Sequence, residues 1–125
     1  MARKPSAWLT DAESELMAVL WRLRRASVND VVTALNETRA VTYSTVQTML
    51  RILETKGYLT HEKVARAFVY TPVIDERQAR RRALRHLVRR LFDGSPSLLV
   101  LNVLEHETIA PDELKQLKKL LDQGE

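Results

Sequence analysis

Apolar residues recur at helical spacing through the first half of the chain. Ala12, Leu16, Val19, Leu20 and Leu23 make one stripe, and Thr10-Asp11-Ala12-Glu13 ahead of them reads as a capping box. Arg24 and Arg25 follow, where the helix dipole favours cations. Ser27 is the N-cap of a shorter second helix with Val28, Val31, Val32 and Leu35 on its apolar side, ending near Asn36 to Thr38. Thr42 opens a third, whose inward face is Val46, Met49, Leu50 and Leu53. Gly57 is placed to end it, with Lys56 in the last turn.

The pattern then changes. Leu59 to Val64 and Ala67 to Tyr70 hold β-branched and aromatic residues, which predicts two short strands. Ala65-Arg66 is the only room for a turn and lacks the glycine or asparagine a tight hairpin prefers. Pro72 ends the second strand. Asp75, with Gln78 three residues on, caps a long fourth helix through Ala79, Leu84, Leu87, Val88 and Leu91, closed by Gly94. Ser95-Pro96 opens a fifth helix, through Leu98, Leu101, Val103 and Leu104. Pro111 opens a sixth, through Leu114, Leu117, Leu120 and Leu121. Three helices, a hairpin and three more helices predict a mainly α protein with a small β-hairpin. A winged helix-turn-helix domain over residues 7–74 is followed by a helical region over 75–125. The short tail cannot hide Leu87, Leu91, Leu98, Leu101, Leu117, Leu120 and Leu121 by itself, so these are assigned to dimerisation in a homodimer.

Composition narrows the class. Of 125 residues, 45% are hydrophobic and 29% charged, enough to build a core and too apolar for wholesale disorder. The absence of cysteine removes disulfides, thiolate metal sites and cysteine nucleophiles, and fits a cytoplasmic protein. Asp11, Glu13 and Glu15 follow the basic stretch Met1 to Ser6, so no secretory leader is expected there. The longest apolar run, Leu98 to Leu101, is too short for membrane insertion. Charge is unevenly spread. Residues 77–90 carry seven arginines and no acid, whereas residues 91–125 carry three lysines against seven acids. The arginine helix suits a polyanion, or equally a solvated face paired with the acidic tail.

The third helix bears the most informative chemistry. Opposite its apolar face stand Ser44, Gln47, Thr48 and Arg51, with Tyr43 and Thr45 beside them and no acid among them. Arginine forks onto guanine and glutamine pairs with adenine, while short hydroxyls allow close approach to a phosphate backbone. These six residues are the candidate reading set for double-stranded DNA; the plainer alternative is a solvated helix face. Ser27 and Asn29 are candidates for phosphate contact at the second helix, where Ser27 serves equally as a simple cap. On the wing, Lys63 and Arg66 reach either phosphate or only solvent. His61, His86 and His106 are far apart and read as surface histidines; there is no G-x-S-x-G elbow and no glycine-rich phosphate loop. No metal, cofactor or enzymatic activity is expected.

These segments resemble the BlaI/MecI penicillinase-repressor family. The resemblance is carried by Leu9-Thr10-Asp11-Ala12-Glu13 with Leu20-Trp21, and by Thr45-Val46-Gln47-Thr48-Met49-Leu50. It continues in Leu53 with Lys56-Gly57-Tyr58-Leu59, in Arg66-Ala67-Phe68-Val69-Tyr70-Thr71-Pro72, and in Leu91-Phe92-Asp93-Gly94-Ser95. It implies a homodimeric repressor whose winged heads bind a palindromic operator, released in antibiotic-responsive members by a membrane sensor protease system that leads to cleavage of the tail. The matching bond here is Asn102–Val103; the alternative is that Asn102 is only a polar residue on a helix. The copper-responsive branch, with its cysteine-rich tail, is disfavoured. Two departures stand out: Ile52 occupies a place the family usually gives to arginine, and Ala65 a wing-turn place usually given to glycine. A second class of function, a winged-helix module that binds protein without sequence-specific DNA binding, is the alternative. It would want an apolar or aromatic anchor on the third helix.

Overall fold

The computed structural model describes residues 8–123. The stretch Met1 to Ser6 and the outermost residues of both assigned domains lie outside that range. The elements run α1 (Asp11–Leu23), β1 (Ala26–Ser27), α2 (Val28–Asn36), α3 (Tyr43–Thr55), β2 (Leu59–Val64), β3 (Ala67–Pro72), α4 (Glu76–Leu91), α5 (Pro96–His106) and α6 (Pro111–Gln123).

The caps read from the sequence form in space. Thr10 and Glu13 exchange side-chain and backbone bonds at the start of α1, and Ser27 with Asp30 does the same for α2. Gly57, at φ +87°, ends α3: its N–H donates to Glu54 O, and the Tyr58 N–H donates to Leu53 O. These two bonds satisfy carbonyls the helix end would orphan. Asp75 and Gln78 make the reciprocal pair at α4, and the Ser95 hydroxyl accepts from Leu98 N at α5.

Two compact units result, the described residues up to His86 and those from Leu87 on. This division falls later than residue 74 because the first turns of α4 pack onto the winged core. Ala79 is buried there, Arg82 lies 5.0 Å over the Tyr58 ring, and Trp21 Nε1 donates to Ile74 O at 2.9 Å. The core joins Leu16, Met17 and Leu20 of α1, Val28, Val31 and Leu35 of α2, and Val46, Leu50 and Leu53 of α3 to Tyr58, Leu59 and Tyr70. Met17 is fully buried, whereas Leu23, placed by spacing in the buried stripe, is 40% exposed. Because α1 packs against both α2 and β3, its buried face is wider than one stripe and ends before Leu23.

The sheet has three antiparallel strands in the order β1-β3-β2. The two-residue β1, which pairs Ala26 with Tyr70 and Ser27 with Val69, is too short to leave a periodic signal. In the second unit Val88 is buried, and α5 and α6 bury no residue. No described helix is long and apolar enough to cross a membrane.

Candidate nucleic-acid interface

Helix α3 is held by Val46, Leu50 and Leu53, which turns the opposite side outward. Tyr43, Ser44, Thr45, Thr48 and Arg51 are exposed there, and Gln47 is half-buried. The wing rises beside it. Val64 pairs with Ala67, so Ala65-Arg66 forms a two-residue turn, with Ala65 held at φ +57°. An alanine in this left-handed region is strained where glycine is not. Lys63 and Arg66 are exposed near the tip. Among the described residues, Arg51, Lys63 and Arg66 have no carboxylate within ion-pair distance. Arg51 on α3 and Lys63 and Arg66 on the wing thus have no ion-pair partner among the described residues, an arrangement suited to phosphate.

The one acid on this side of α3 is committed. Glu54 Oε1 lies 2.6 Å from His61 Nδ1 on β2, and the His61 ring sits 5.2 Å from Phe68 and 5.4 Å from Tyr70. This contact braces the wing against the C-terminal half of α3. Burial raises the Tyr70 phenol above its ordinary range, with nearby Glu54 adding to the effect and Arg51 opposing it. From the sequence, His61 is expected only to be a surface histidine. Only folding brings it to Glu54, although the two are seven residues apart. His86 likewise stacks on Trp8 at 4.8 Å, and His106 lies 3.8 Å from its neighbour Glu105 on an exposed stretch of α5. Among the described residues no group of His, Cys, Asp or Glu is placed to hold a metal.

The hydroxyls on α3 do not all face outward as the sequence suggested. Thr45 Oγ1 and Thr42 Oγ1 are 2.9 Å apart, and Thr48 Oγ1 donates to Ser44 O at 2.9 Å. Ile52, known from the sequence only as a departure from a family pattern, is 40% exposed. Its offset from the Val46–Leu50–Leu53 stripe was the available signal. Ser27 serves the α2 cap and Asn29 is exposed. On α4, Gln78, Arg81, Arg82 and Arg85 line an open concavity of about 310 Å³ beside Ile74, with no carboxylate in its wall. Arg80 pairs with Glu76.

The residues assigned to dimerisation are largely open. Leu91, Leu98, Leu101, Leu117, Leu120 and Leu121 are exposed and Leu87 is half-buried. Asn102 and Val103 lie inside α5, where Asn102 Nδ2 donates to Leu98 O at 2.9 Å.

A three-helix core, an outward-facing third helix and a cationic hairpin beside it define a winged helix-turn-helix protein. The sequence profile of the penicillinase repressor family matches residues 9–123, and the chain belongs to that family. It is 36% identical over 115 residues to the penicillinase repressor of Bacillus licheniformis, a match covering 92% of this chain and 90% of that one. The methicillin resistance regulatory protein MecI of Staphylococcus aureus is 25% identical over 114 residues, 91% of this chain and 93% of its own length. Among solved structures, the DNA-binding domain of the repressor BlaI superposes with a TM-score of 0.52 at 43% identity, covering 61% of this chain and 90% of that domain.

Proposed function

We propose that this chain is a transcriptional repressor that binds a palindromic operator as a homodimer in the cytoplasm, with α3 in the major groove and the wing on the flanking backbone. The observation that carries this reading is the outer face of α3, whose one acid is engaged by His61, together with Arg51, Lys63 and Arg66, none of which has a carboxylate within ion-pair distance among the described residues. Gln47 and Arg51 read base edges, Tyr43, Ser44, Thr45 and Thr48 line the approach, and Lys63 with Arg66 grips phosphate. The exposed leucines of α4, α5 and α6 join two copies, and a twofold protein matches a twofold site.

The test is fluorescence anisotropy of the full chain on the intergenic DNA upstream of its own gene. Arg51→Ala and Gln47→Ala should each weaken specific binding by about 1–3 kcal/mol while non-specific binding changes less. Unchanged discrimination in both variants refutes the assignment.

Release through a membrane sensor protease would have to cut a folded helix. Asn102–Val103 lies within α5, so that helix must open before a protease can engage an extended segment. Mass mapping of the chain during induction decides this: a fragment ending at Asn102 establishes cleavage, and an intact chain under full induction rules it out.

A further inference from the structure

We propose that one flank of α3 reads thymine through methyl groups, with Thr48 and Ile52 as its specificity-determining residues and Thr45 extending the flank toward the helix start; this rests on the reading of α3 as the helix in the major groove. Thr45, Thr48 and Ile52 are spaced i, i+3, i+7 and share one side of the helix. All three are exposed. The Thr48 hydroxyl is turned back onto Ser44 O, and the Thr45 hydroxyl is paired with Thr42 Oγ1. Each bond ties the hydroxyl to an atom of the chain itself, and the apolar group each side chain can offer a partner is its Cγ2 methyl. Ile52 adds a larger aliphatic surface to the same flank, 40% of it open to solvent.

An exposed aliphatic flank gains nothing from phosphate or from the polar edges of guanine and cytosine. In the major groove the apolar feature of a base pair is the thymine 5-methyl group. The other flank carries Gln47, and Arg51 stands between the two, so hydrogen-bonding and methyl readout are divided across one helix.

Replacing thymine by uracil removes the methyl and leaves every hydrogen-bonding edge in place. The full chain is first used to select a site from a randomised duplex library, and each thymine of that site is then replaced by uracil in turn. At one or two positions per half-site, affinity should fall about fourfold, the value of one buried methyl-sized group. Thr48→Ser keeps the hydroxyl and removes only the methyl. Ile52→Ala trims the exposed chain, and thermal unfolding confirms that both variants fold. In these variants the uracil penalty should shrink at the thymine each residue faces. No uracil penalty anywhere, or a penalty unchanged in both variants, overturns the proposal while leaving operator binding intact. Failure to select any sequence overturns operator reading itself, and this proposal with it.

Discussion

Ala65 shows how one residue can carry a conformation its type resists. The wing turns in two residues because Val64 pairs with Ala67, and the geometry drives Ala65 to φ +57°. For a residue with a Cβ this region costs about 1–2 kcal/mol, partly offset by the entropy that glycine loses on folding. Ala65→Gly should therefore stabilise the first unit by about 0.5–1 kcal/mol, read as a higher midpoint in urea. A lower midpoint would mean that the turn is not strained. The sequence exposed the mismatch, since Ala65-Arg66 lacks the usual turn residues, but only the pairing register showed that the turn stays tight.

At the level of elements, the notable contact joins α1 to the end of α3. Lys56 Nζ donates to Glu13 Oε1 at 2.7 Å and to Trp8 O at 3.0 Å, with both side chains of the ion pair 7% exposed. Glu13 also accepts from Thr10 N, so one carboxylate caps α1 and anchors α3. Burial on its own would raise the Glu13 pKa. The hydrogen bond and charge of Lys56 and the bonds from Thr10 outweigh it and hold the carboxyl below its ordinary range. A depressed carboxyl contributes stability above its unfolded pKa of about 4.3 and loses it as pH falls through the folded value. Thermal unfolding should therefore show stability falling below about pH 4, with a shallower acid slope in Glu13→Gln. Lys56→Met leaves the carboxylate buried without its cation and should cost about 3 kcal/mol at neutral pH. A loss under 1 kcal/mol would show that water replaces the lysine.

For the whole molecule, the contrast is between a first unit with a closed core and a second that leaves its apolar side chains open. Leu120 is 64% and Leu121 73% exposed, on a helix that buries nothing. Each leucine covered by a partner would contribute about 1.5–3 kcal/mol. Leu120→Glu with Leu121→Glu should make the full chain sediment as a monomer at micromolar concentration. Its operator affinity should drop about a hundredfold, because two half-sites would then be bound independently. A wild-type chain that sediments as a monomer would remove the basis for this expectation.

The order and kinds of the helices and of the hairpin, the caps at Thr10, Ser27, Thr42, Asp75 and Ser95, the stop at Gly57 and the polar face of α3 are all legible in the order of residues. These are local matters: they follow from side chains within one turn of the backbone they serve, so spacing alone reports them. Tertiary structure decided what depends on residues distant in the chain. It brought Ala26-Ser27 into the sheet, put Glu54 against His61, buried Glu13 with Lys56 and moved the first turns of α4 onto the winged core. It also settled which way the hydroxyls of Thr45 and Thr48 turn. A rotamer and its hydrogen bond are chosen by the folded backbone around them, so residue type alone could not show that two hydroxyls of this face bond to atoms of the chain itself.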